Sequence, residues 1–356
     1  MKKMLLRLPF KPLLTAAFTV AYTLLLHLHG STQQWIAQGN ESQISAVASS
    51  ATTITVLGNV PYVAYIENSS PSVGKVKRKN SITGAWEQVG TDVASNISYL
   101  RIYNDGGTNL YVTYVDGGNG SRLAVKKYNS ETQTWDPLIS GDPYVSSGSV
   151  TYSISQFSST PRAAMAFDRN QVPYISFAER STGYPFVKRF TDGAWETVGG
   201  GSVTTDFSVG NGVAIDYDNV PYVIYLAQSG LTSTTGAVRV FRLDANNAWE
   251  NVSPVSPVAP GSSSTGSTTG ARHSSITMDS LYNPIVAYFN TSNSNRSTII
   301  RYNVATSTWQ YIGTTGTRDA PFNSLIRDNA GNVYNAFTDL LVNGGTAPSG
   351  RVFKLA

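Results

Sequence analysis

Residues 59–90 read NVPYVAYIENSSPSVGKVKRKNSITGAWEQVG. Runs rich in Val, Ile and Tyr alternate here with Asn, Ser, Gly and Pro, and the stretch ends on a tryptophan phrase. The runs read as strands, because β-branched and aromatic side chains suit a pleated, half-buried surface and the residues between them make turns. The same phrase returns along the chain. NLYVTYVD at 109–116 leads to TWDPLI, QVPYISFAE at 171–179 to AWETVG, NVPYVIYLA at 219–227 to AWENV, and NPIVAYFN at 283–290 to TWQYIG. A sixth copy, GNVYNAFTD at 331–339, stops before its tryptophan. The tryptophans are Trp35, Trp86, Trp135, Trp195, Trp249 and Trp309. A period of about 50 residues is the mark of a repeat architecture.

Each copy holds three strand-like runs, and a fourth precedes it, such as AAMAFD ending at Asp168 or GVAID ending at Asp216. Four short antiparallel strands repeated radially make a propeller blade. The sequence therefore predicts an all-β fold, a six-bladed β-propeller of four-stranded blades. The phrase QQWIAQG at 33–39 precedes the first full copy. It is expected to supply the strand missing from the last blade, which closes the ring and removes an exposed edge. The tryptophans are expected to pack between blades. So are the paired aromatics Tyr62 with Tyr65, Tyr111 with Tyr114, Tyr174 with Phe177, and Tyr222 with Tyr225.

The net charge of +4 is concentrated at one end. Lys2, Lys3, Arg7 and Lys11 fall in the first 30 residues, and the remainder is balanced. No basic patch supports nucleic-acid binding. Residues 1–30 read as a signal peptide, with a cationic start before the apolar run PLLTAAFTVAYTLLL; an uncleaved anchor is the alternative. Residues 31–356 then form one propeller domain with no membrane span in the mature chain. The absence of cysteine excludes disulfides and thiolate chemistry. His27 and His29 lie in the leader, leaving His273 alone, so a histidine metal cluster is excluded.

The turns before the second strands are tight, whereas the loops joining blades are long. Function on a rigid scaffold tends to gather where loops are elaborated. On that rim, Glu67, Asp116, Glu179, Ala227, Asn290 and Asp339 hold the same repeat position. The acids and the amide could form a polar ring that bonds sugar hydroxyls or a Ca²⁺ ion, or each could cap its own hairpin. A fixed site also tends to break repeat symmetry. Arg162, Arg272 and His273 at the starts of first strands, with Asn211 and Asn323, are such departures. The bases Arg78, Lys127, Arg189, Arg242, Arg301 and Lys354 recur in the third strands and are expected to make inter-blade ion pairs or lay their stems on apolar surface. The first-strand acids Asp168, Asp216, Asp279 and Asp328 are expected to bond turn backbone.

DNAGNVY at Asp328 and DYDNVPYV at Asp216 resemble the D-x-x-G-N-x-Y-V phrase of NHL-type propellers, over the turn and second strand of most blades. The resemblance implies the propeller fold and a binding platform. The S-x-D-x-G-x-x-W phrase of sialidases is absent. The leading functional expectation is an exported, non-catalytic module that binds a glycan or protein and requires no cofactor. The alternatives are an exported carbohydrate-active hydrolase or lyase using rim carboxylates, and a structural or assembly protein.

Overall fold

The computed structural model describes residues 44–150, 163–228, 235–254, 263–264, 274–290, 296–315, 323–339 and 349–355. The leader, the Trp35 strand, Arg162, Arg272 and His273 lie outside them. Six antiparallel sheets follow one another along the chain, each built on a meander, and in three of them a further short strand (Ala94–Ser95, Tyr144–Ser149 or Ser263–Ser264) also pairs with the third strand. Blade 1 is Ser49–Leu57, Val60–Glu67, Val73–Lys79 and Trp86–Gln88, and blade 2 is Ile97–Asn104, Leu110–Asp116, Arg122–Asn129 and Thr134–Pro137. Blade 3 is Ala163–Phe167, Pro173–Ala178, Pro185–Thr191 and Ala194–Thr197; blade 4 is Phe207–Ile215, Pro221–Gln228, Thr235–Leu243 and Trp249–Asn251. Blade 5 is Ser275–Met278, Pro284–Asn290, Arg296–Asn303 and Thr308–Thr315. Blade 6 shows Asn323–Arg327, Val333–Asp339 and Ser349–Lys354, so its third strand has no outer neighbour among the described residues. This is the six-bladed propeller read from the repeat.

The acids that close the first strands make one turn over and over. Asp216 Oδ1 accepts from the amides of Asp218 and Val220 at 2.9 and 2.8 Å. Asp168 does the same with Asn170 and Val172, and Asp279 with Leu281 and Asn283. A short carboxylate bonding amides two and four residues on replaces ladder bonds that the bend removes.

The core lies between blades, as expected from the aromatic pattern. Ala64, Ile66 and Val76 of blade 1 pack on Ile102, Val112, Tyr114 and Trp135 of blade 2. The outer tryptophans also reach backwards with their ring N–H. Trp135 donates to the Val89 carbonyl of blade 1 at 3.0 Å, Trp249 to Val198 of blade 3 at 3.3 Å, and Trp309 to Val252 of blade 4 at 2.6 Å. The W-E-x-V-G phrase follows from this. Its valine gives the carbonyl to the next blade's indole, and its glycine gives the space. At Gly199, φ is +75° and an added Cβ would stand 2.4 Å from Trp249 Nε1.

The repeated third-strand bases correct one expectation. The four arginines among them bond across the strands of their own blade rather than between blades. Arg189 and Arg242 face Glu196 and Glu250 in register and bond them at 3.2 and 2.7 Å. Arg78 likewise faces Glu87, and Arg301 bonds Gln310 at 2.8 Å. Third and fourth strands are adjacent, so a base and an acid directly opposite meet before either can reach the next blade.

The boundary between the last and first blades differs from the rest. Ile54 is 62% exposed, although its counterparts Ile102 and Val213 are buried, and Val352 is 47% exposed, although Val125 and Val240 are buried. An apolar seam thus remains open there among the described residues.

Candidate functional site

The first strands of all six blades line an axial channel of about 730 Å³. Their register with the second strands defines a layer across it. Thr53, Arg101, Ala164, Gly212, Ser275 and Ser324 hold equivalent positions, opposite Ala64, Thr113, Ser176, Ile224, Ala287 and Ala336. Five of these six are small. The sixth is an arginine, and all of them line the channel.

In blade 2 a bulge comes just before this position. The ladder slips between Ser98 and Arg101, and Tyr99 takes a φ of +56°. A bulky residue in the left-handed region is strained, and such strain persists only where the surroundings hold it. Here the Tyr99 hydroxyl donates to the Ala163 carbonyl of the next blade at 3.1 Å, and the Arg101 guanidinium lies 5.3 Å from the Tyr99 ring centre. Blade 4 has the matching bulge at Gly210 and Asn211. Asn211 is 4% exposed, lines the channel, and its Oδ1 accepts no hydrogen bond. A buried amide oxygen without a donor costs free energy comparable to a lost hydrogen bond.

The turn end of the channel is built differently. Arg169 stacks 3.8 Å from the Tyr217 ring centre, Tyr217 meets Tyr282 edge-on at 5.2 Å, and Arg327 lies 4.9 Å from the Tyr282 ring. Arg327 also donates to the Asp279 carbonyl at 2.5 Å. The acids Asp105, Asp168 and Asp216 line this end, each with Oδ1 already bound by two backbone amides.

The rim acids expected from the repeat are each held locally. Glu67 pairs with Lys75 at 3.1 Å. Asp116 accepts from Tyr144 Oη at 2.7 Å, Asn119 Nδ2 at 2.8 Å and the Gly118 amide at 2.9 Å. Burial pushes its carboxyl up, but these donors outweigh it and hold the group below the usual range. Glu179 is half-buried and accepts from Ser147 Oγ at 2.7 Å. The structure does not bring these three together around the channel. Asn290 is buried at the same repeat position, and the backbone of Asp339 ends the second strand of blade 6. Among the described residues no group of three or more acids, histidines or cysteines could hold a metal ion. Asn323 belongs to a buried cluster, accepting from Ser297 Oγ and, at 3.2 Å, from Asn335 Nδ2.

Sequence reading missed Arg101, Tyr99 and Tyr103. Their signal was present: in the segment ISYLRIYN at 97–104, an arginine stands in the middle of an apolar first strand, whereas Arg327 only ends its own.

No family model matches the chain, and no curated protein matches it. The NHL-like resemblance therefore stops at the fold. Among solved structures, the chain is similar to an alpha-L-arabinofuranosidase from Fusarium graminearum in complex with an iminosugar inhibitor. The TM-score is 0.54 and the identity 12%, over 85% of this chain and 91% of that one. It is similar to a protein of unknown function from Dyadobacter fermentans, with TM-score 0.50 and 9% identity over 86% and 95% of the two chains. It is also similar to an alpha-L-arabinanase from Penicillium chrysogenum complexed with arabinobiose, at 0.49 and 12%, over 86% and 93%. At such identities the likeness shows the fold. The expectation of a non-catalytic binding module is corrected by this comparison. The propeller matched at 0.54 is an alpha-L-arabinofuranosidase holding an iminosugar inhibitor. Among the described residues no helix is long and apolar enough to cross a membrane.

Proposed function

We propose that the protein is an exported carbohydrate-active hydrolase. Its substrate sits over the axial channel, and carboxylates of the long-loop rim do the chemistry. The observation that carries this reading is the channel itself. At about 730 Å³ it has the size of a small-molecule site, and Tyr99, Arg101, Tyr103 and Asn211 give it polar and aromatic walls. The glycosidase of similar fold supports it, and the apolar leader supports export.

Glycoside hydrolysis needs two carboxyl groups. One protonates the leaving oxygen as the glycosidic C–O bond breaks. The other attacks the anomeric carbon or activates the water that does. The turn-end acids are poor candidates, because two amides already hold one oxygen of each. Glu179 is the better rim candidate, with a single serine beside its carboxylate and no ion pair among the described residues. The test is a panel of chromogenic glycosides against the wild type and Glu179→Gln. Turnover should fall by roughly 100-fold or more in the variant at an unchanged melting temperature. A wild type inert on every glycoside sinks the reading.

A further inference from the structure

We propose that the channel recognises a sugar carboxylate, and that Arg101 is the group that reads it. The substrate class is then a uronic-acid-containing glycan. This rests on the carbohydrate reading above and sharpens it.

Three observations lead here. First, the layer at mid-channel is small on five blades and arginine on the sixth, so one guanidinium reaches into space that the other blades leave open. Second, none of the ion pairs among the described residues includes Arg101. Its neighbour is the Tyr99 ring, and the channel acids lie at the turn end, bound by their own amides. Tyr99 replaces part of the lost water by a side-chain hydrogen bond and its ring, but no acid among the described residues balances the guanidinium charge. A half-buried charge without a counter-charge is costly. Third, Tyr99 is held in a strained conformation by a bond to the next blade, and it forms the wall on which the guanidinium rests. The side chain is therefore pre-positioned rather than free to swing to bulk solvent.

A ligand carboxylate supplies what the channel lacks. The planar fork of arginine matches a carboxylate with two parallel N–H···O bonds. The Tyr99 ring beside it suits the apolar face of a sugar ring.

The experiment is calorimetric titration of the intact protein with oligogalacturonate, the matched neutral galacto-oligosaccharide and a poly-glutamate peptide. It is run on wild type, Arg101→Gln and Arg101→Lys. The wild type should prefer the uronate over the neutral sugar by roughly tenfold or more, the size of a charge-assisted bond. Arg101→Gln should lose that preference. Arg101→Lys keeps the charge and the packing stem but not the fork, and should retain only part of it. Equal binding of acidic and neutral sugars overturns the proposal. So does a preference untouched in Arg101→Lys and Arg101→Gln, or tighter binding of the peptide. The two readings fail separately. Turnover of neutral glycosides with no uronate preference leaves the hydrolase and removes this inference. Arg101-dependent uronate binding without turnover on any glycoside does the reverse.

Discussion

The indole N–H of Trp249 crosses a blade boundary to the carbonyl of Val198, 3.3 Å away, over a glycine that leaves it room. Trp249→Phe keeps most of the packing but strands that carbonyl, and should cost about 1 kcal/mol. Gly199→Ala should cost more, about 2 kcal/mol, since it adds a Cβ at positive φ against the ring. Urea unfolding of both variants checks the order. A Gly199→Ala variant as stable as wild type would mean the contact is not formed.

Blade 6 lacks an outer strand among the described residues, and Ile54 and Val352 face an open seam. Lys77 Nζ bonds the Ile44 carbonyl at 2.7 Å, much as Lys126 bonds Val93 and Lys188 bonds Val145, the two acceptors following outer strands of preceding blades. Deleting Ser31 to Gly39 is therefore expected to lower the melting temperature sharply and promote aggregation. An unchanged melting curve would remove the N-terminal strand from the ring.

Asp216 is 7% exposed, and burial is the largest influence on it, raising its carboxyl above the ordinary value. An acid whose pKa is raised on folding binds more protons when folded, so stability falls as pH climbs from about 3.9 through the folded value. Asp216→Asn keeps an oxygen for the Asp218 and Val220 amides and has no charge to bury. Its stability relative to wild type should improve across that window. Denaturant titrations at pH 3.5 and pH 7 give the comparison, and a constant difference would contradict it.

Asp116 behaves in the opposite sense. Its carboxyl is held down, so its contribution is present above the ordinary carboxylate range and lost as pH falls through the depressed value. Tyr144→Phe removes the 2.7 Å donor. An NMR titration should then find the Asp116 carboxyl shifted upward, while no movement would show that the tyrosine does not bond it.

The fold was legible because its decisive signals are local and repeated. The Asp-led turns and the tryptophan phrases each report a bond that several blades repeat. The third-strand bases were legible as a pattern but not as a contact, because a period does not say whether the acid opposite lies on the same sheet or the next. The site was harder to read for the same reason. Glu67, Asp116 and Glu179 looked alike in the repeat, yet one pairs with lysine, one caps a turn and one meets a serine. Arg101 stood in plain view, but the register of its ladder decides which face of the strand meets the axis, and register leaves little trace in composition.

The backward reach of the tryptophans bears on the order of assembly. Trp135, Trp249 and Trp309 each find an acceptor 46, 51 and 57 residues closer to the N-terminus. A chain emerging N-terminus first has therefore always made the acceptor before the donor appears. Blades 2, 4 and 5 can each dock on a finished neighbour as the chain leaves the ribosome or a translocation pore, and these three indoles need not wait for chain not yet made.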